Sequence, residues 1–210
     1  AVDHGADQSY FLYRVDSSSL SRSLLPLGHL RRSEVQSRLQ SLGVPAGRKS
    51  RDLCFVNHRK YHLVVARWTS PTPGPILDSA GRVLGYHKGL AYYTVGQRHG
   101  LELALGHPVY VTKLLPEENT VVVGPESELY AQSASVAGLA WVSGHAPAAQ
   151  FTAEVRIRYR GRASLAEIRV AGDKASVVFQ EPQRAVAPGQ SLVVYNGETV
   201  LGGGFFEAAG

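Results

Sequence analysis

The stretch Ser70-Pro-Thr-Pro-Gly-Pro75 divides the chain. Its three prolines withhold backbone donors and cannot continue a helix or a central strand, so it reads as a turn-rich connector. Beyond it come short β-branched or alternating runs separated by glycine, proline and asparagine. They predict strands near 75–78, 82–85, 108–113, 119–124, 133–142, 151–160, 164–170, 174–179, 190–195 and 199–202. Before it the signals are helical: Ser33 followed by Gln36 has capping-box spacing, Val35, Leu39 and Leu42 recur at helical spacing, and Gly43 suits a helix end. One amphipathic helix near 33–42 is expected.

A second seam is read at Ser143-Gly-His-Ala-Pro-Ala-Ala-Gln150, whose small residues suit a linker between two small β-domains. The fold class is therefore mainly β, with a short α-helical segment over 1–70 and β-domains over 71–145 and 146–210. A chain of 210 residues, 44% hydrophobic and 19% charged, buries a substantial core. No apolar run approaches the ~20 residues of a membrane span, and the first ten residues lack the build of a signal peptide. The expected location is the cytoplasm, with no membrane partner. The chain holds no methionine and starts at Ala1, as expected of a removed initiator or of a piece cut from a longer protein. One cysteine excludes an internal disulfide and a multi-cysteine zinc site.

The net charge of +5 has a local focus. In Val155-Arg-Ile-Arg-Tyr-Arg-Gly-Arg162 the arginines alternate, so a strand would set Arg156, Arg158, Arg160 and Arg162 on one face and Val155, Ile157 and Tyr159 on the other. Such a stripe runs roughly 20 Å. It is either the solvated outer face of a barrel strand or a phosphate-binding surface, since guanidinium forks pair bidentately with phosphate.

Cys54 lies among Arg48, Lys49, Arg51, Arg59 and Lys60, with Asp52 opposing them. Cations lower a thiol's pKa and favour the nucleophilic thiolate. Three readings stand: a reactive thiol, a buried small hydrophobe, or a zinc ligand with His58 and His62 at i+4 and i+8. The other histidines form no metal spacing or triad. Leu201-Gly-Gly-Gly-Phe205 lacks the setting of a phosphate loop and reads as a tight strand end.

Several blocks occur together: Asp7-Gln-Ser-Tyr-Phe-Leu-Tyr13, Leu25-Pro-Leu-Gly28, Cys54-Phe55, Gly89-Leu-Ala-Tyr-Tyr-Thr-Val-Gly-Gln-Arg98, Glu181-Pro-Gln-Arg-Ala-Val186 with Pro188-Gly-Gln190, and Leu201-Gly-Gly-Gly204. In this order they resemble the bacterial tRNA-specific 2-thiouridylases, the MnmA/TrmU family. The resemblance implies the end of an ATP-pyrophosphatase domain, a small central β-domain and a C-terminal β-barrel. It implies that the ATP loop, Ser-Gly-Gly-x-Asp-Ser, and a second cysteine lie upstream in full-length members, with ATP and Mg bound there and no cofactor in this chain.

The implied chemistry is ATP-driven thiolation at C2 of the wobble uridine, with tRNA and a sulfur-relay protein as partners. By position Cys54 resembles the persulfide-bearing cysteine. Ala6, Asp7 and Gln8 match the segment that contacts the anticodon loop. Arg158, Tyr159 and Gln190 match other tRNA contacts, and Arg156 and Arg160 join them through the stripe. Asp52 stands where the family usually has glycine. The alternative is a non-catalytic RNA- or protein-binding β-module whose cysteine is inert.

Overall fold

In a computed structural model of the chain, the structure describes residues 1–45 and 71–210. These fall into two compact units: residues 71–131, and a second unit that joins residues 1–45 to Gln132–Gly210. The chain is mainly β, as its sequence predicts, with ten strands among the described residues. No helix among them is long and apolar enough to cross a membrane.

Residues 1–45 carry two helices, α1 (Ser17–Ser21) and α2 (Arg32–Ser41). The short α1 was not anticipated; the Asp16 carboxylate caps it by accepting the Ser19 backbone N–H at 2.8 Å. The expected helix is α2, but Ser33 and Gln36 do not cap it. It starts one residue earlier, where Glu34 accepts the Arg31 backbone N–H at 2.5 Å and Asp3 accepts that of Arg32 at 2.9 Å. Arginine carries no acceptor, so only the Glu34 half of a capping box exists. Asp3 comes from the far side of the segment, which sequence spacing cannot reveal. Val35 and Leu39 are half-buried, while Leu42 is 75% exposed.

In the unit of residues 71–131, β1 (Gly74–Asp78), β2 (Val83–His87), β3 (Tyr110–Leu115) and β4 (Thr120–Gly124) form one sheet in the order β2-β1-β4-β3. β1 runs antiparallel to β2 and parallel to β4. Ile76, Val111, Val121 and Val123 pack with Tyr93 and Leu101 as its core.

The other unit holds β5 (Tyr130–Trp141), β6 (Gln150–Arg156), β7 (Ser164–Ala171), β8 (Lys174–Arg184), β9 (Ser191–Asn196) and β10 (Thr199–Ala209). They close into a six-stranded barrel in the order β10-β5-β8-β7-β6-β9. Alternate residues point inward, so Val155, Ile168, Val177, Phe179 and Leu192 are each about fully buried. The 143–150 segment joins β5 to β6 of this one barrel, so it is not a seam between β-domains. Its small residues serve a connection between strands instead.

Residues 1–45 belong with the barrel because aromatic side chains seat them there. Tyr10 and Tyr13 are buried against Val193 and Tyr195 of β9. The Tyr10 hydroxyl donates to the Ser191 carbonyl at 2.8 Å, and the Tyr13 hydroxyl pairs with Ser191 Oγ at 3.0 Å. Ser17 N–H donates to the Val142 carbonyl at 2.8 Å. The triple glycine, expected at a strand end, lies inside β10. A Cβ at Gly203 would lie 2.2 Å from the Leu192 carbonyl oxygen and 2.9 Å from the Tyr13 ring, so glycine lets β10 and Tyr13 approach.

Candidate nucleic-acid interface

The strand expected to run to 160 stops pairing at Arg156. Gly161 N–H donates to the Arg158 carbonyl at 2.9 Å, closing a turn in which Arg160 takes a left-handed backbone, φ 61°. The chain must reverse here because Val155 already pairs with Ser164 at the start of β7. The four arginines therefore do not form a straight stripe on one strand. Burial still alternates, with Val155 and Ile157 inside and Arg158 and Arg160 exposed.

Each arginine has a different setting. The Arg156 guanidinium lies 4.9 Å from the centroid of the Tyr195 ring. Arg158 donates to the Arg184 carbonyl at 3.2 Å. Arg160 covers the Tyr159 ring at 4.9 Å and donates to the Gly5 carbonyl at 3.3 Å. Arg162 is exposed and has no hydrogen-bond or ion-pair partner among the described residues.

The Arg160 bond to Gly5 brings the 157–163 loop to the segment Ala6-Asp7-Gln8. Gln8 is exposed and directly precedes a single 3-10 turn, Ser9–Leu12. The Asp7 carboxylate accepts the Ser9 N–H at 2.7 Å and pairs with the Ala1 amino group. Burial pushes the Asp7 carboxyl up, but the Ala1 amino group and Ser9 outweigh it and bring it to about 2. Ala6, Asp7 and Gln8 form one lip of a groove of about 680 Å³, with Leu25, Val35 and Leu39 among its apolar wall.

Behind this lip the tyrosines pack closely. Burial, with Tyr13 and Tyr195 nearby, pushes the Tyr10 hydroxyl up to about 12; burial also raises that of Tyr195. Among the described residues, the buried side-chain polar atoms without a hydrogen-bond partner are Arg156 Nε, Gln190 Oε1 and the Tyr195 hydroxyl, which lies beside Ser9 without a well-formed bond. Buried polar groups are ordinarily satisfied by protein or by ordered water. Gln190 adjoins Ser191, the residue that holds Tyr10 and Tyr13, and Arg156 pairs across the ladder with Val193.

The structure thus gathers Ala6, Asp7, Gln8, Tyr159 and Arg160 directly, with Arg156 and Gln190 on the adjoining strand ends and Arg158 on the same loop. Sequence reading missed Tyr195 and Phe11 as members. Phe11 stood inside an aromatic run, Tyr10 to Tyr13, which was the available signal. Cys54, and the proposed zinc set with His58 and His62, lie outside the described residues.

Three family models match in chain order: a tRNA methyl transferase HUP domain at residues 1–58, a tRNA methyl transferase PRC-barrel domain at 63–125 and an aminomethyltransferase beta-barrel domain at 131–206. A protein of Syntrophus aciditrophicus named tRNA-specific 2-thiouridylase MnmA 2 is 41% identical over 98% of this chain and 68% of its own length. The chain belongs to the MnmA/TrmU family. Two other relatives named tRNA-specific 2-thiouridylase MnmA bear this out. That of Chlorobaculum tepidum is 41% identical over 97% of this chain and 58% of its own length, and that of Moorella thermoacetica 44% over 98% and 59%. The chain spans about three fifths of the length of these two family members.

Proposed function

We propose that this chain is the tRNA-gripping part of a cytoplasmic tRNA-uridine 2-sulfurtransferase that thiolates C2 of the wobble uridine, U34. The supporting observation is the meeting of the Ala6–Gln8 segment with the arginine-rich loop, through the Arg160 bond to Gly5. Guanidinium groups hold phosphates, and the exposed Gln8 amide is suited to the edge of an unstacked base. In this reading Arg158 and Arg162 meet the RNA backbone. Arg156 and Arg160 hold Tyr195, Tyr159 and Gly5 in place as well as adding charge.

Cys54 is proposed as the carrier of a persulfide received from a sulfur-relay protein: its terminal sulfur bonds to uridine C2 as the activated O2 leaves with AMP, and the second cysteine, upstream in full-length family members, breaks the remaining S–S bond by forming a disulfide with Cys54. ATP with Mg²⁺ activates uridine O2 in this scheme. The sequence contains no Ser-Gly-Gly-x-Asp-Ser loop to hold ATP, so no step is assigned to it through residues of this chain. The cationic neighbours of Cys54 predict an apparent thiol pKa below the unperturbed value of about 8.5, measured as alkylation rate against pH. A value at or above it would favour the inert thiol.

The direct test is tRNA binding by the full chain. Wild type should bind more weakly as salt rises, and R158A/R162A should flatten log K against log salt by roughly 1–2 units of slope. Equal affinity and slope for that variant would defeat the proposal.

A further inference from the structure

We infer that Phe11 is a stacking platform for an unpaired nucleobase. The ring is 57% exposed although its neighbours Tyr10 and Tyr13 are buried. It is supported from behind: it stands edge-to-face on Tyr10 at 5.4 Å and 88°, and packs on Tyr159 at 4.8 Å. Tyr159 in turn carries the Arg160 guanidinium at 4.9 Å. The series Arg160, Tyr159, Phe11 is thus a fixed aromatic step, with cations at one end and an open ring at the other.

The setting selects the partner. An exposed phenylalanine in an apolar surround fits another protein, but this one is flanked by Gln8 at the start of its turn and by Arg158 and Arg160 on the adjoining loop, all exposed. An aromatic face beside guanidinium groups is the arrangement that holds single-stranded nucleic acid, because every base has a π-face and every nucleotide a phosphate. A base in a duplex is unavailable for this contact, so the platform reads an unpaired base. The inference rests on the RNA-binding function proposed above and assigns part of that surface to stacking rather than charge.

The test uses the full chain with two RNA probes: a hairpin carrying 2-aminopurine in its single-stranded loop, and a fully paired duplex of similar length. Phe11→Ala should lose about 5- to 150-fold in hairpin affinity, the range for one stacked base. Its duplex affinity and salt slope should stay at wild-type values, since stacking releases no counterions. Phe11→Trp should keep the affinity. Phe11→Leu, which preserves apolar packing on Tyr10 and Tyr159, should retain the wild-type melting temperature yet lose the 2-aminopurine quenching. Hairpin binding and quenching that survive Phe11→Leu, with R158A/R162A still impaired, would overturn the stacking role and leave RNA binding intact. Failure of the wild-type chain to bind either probe would overturn RNA binding itself, and the platform with it.

Discussion

His87, 1% exposed, uses both ring nitrogens. Nδ1 accepts the Gly89 N–H at 3.0 Å, which leaves the proton on Nε2 to donate to the Asn119 carbonyl at 2.8 Å. Asn119 also donates to the Pro73 carbonyl at 3.0 Å, so one imidazole ties the start of β1 to the β3–β4 turn. His87→Ala strands an N–H and a carbonyl and opens a cavity, which should cost roughly 2–4 kcal/mol in the 71–131 unit by denaturant unfolding. Spacing marked His87 as unassigned, because its partners become neighbours only through strand pairing. Asp7 sets a pH dependence. Its carboxyl lies at about 2 in the folded chain against an ordinary 3.8, so the folded state binds fewer protons. The stability it contributes is complete above about pH 4 and is lost as pH falls toward 2. Asp7→Asn should flatten that part of the stability–pH curve, and an unaltered curve would show that Asp7 does not carry it.

At the scale of elements, β10 shows what Gly203 is for. Gly203→Ala places a methyl against the Leu192 carbonyl and the Tyr13 ring, so it should cost about 1–3 kcal/mol and expose residues 1–16 to protease before the barrel opens. Cleavage there at the wild-type rate would mean Tyr13 needs no such approach. All ten strands were legible as β-branched or alternating runs, because each of those patterns is a property of the run by itself; β4 and β9 are continuous apolar runs rather than alternating ones. The strand ends were less legible. β6 stops at Arg156 rather than 160 because β7 already occupies its ladder, and β10 runs to Ala209 because Ala208 and Ala209 still pair with Ser135 and Ala134 of β5. Arg158 and Arg160 kept their outward alternation without the strand, so the basic loop was legible while its shape was not. The start of α2 was misplaced as well: spacing favoured Ser33 and Gln36 over the local acceptor Glu34, and Asp3 becomes an acceptor only through folding.

For the whole molecule, the decisive pairing joins the first residues to the last strands. Tyr10 and Tyr13 reach Ser191, about 180 positions away in sequence, and place Gln8 and Phe11 beside the 157–163 loop. No motif announces this, because Tyr10, Tyr13 and Tyr195 each look like an ordinary apolar position of their own segment. It has a thermodynamic consequence: burying a large aromatic side chain contributes about 1.5–3 kcal/mol, so deleting residues 1–16 should destabilise the barrel by about 3–6 kcal/mol. Hydrogen exchange resolves where the loss falls. Amides of β9 and β10 should lose protection, since Val193, Tyr195 and Gly203 lie under the removed rings, while β1 and β4, whose core is built from Ile76, Val121 and Val123, should keep theirs. Equal loss in both sheets would show that residues 1–16 support the chain generally. Loss confined to the barrel, together with loss of hairpin RNA discrimination, would show that the aromatic anchors form the RNA-facing surface by the same contacts that stabilise the barrel.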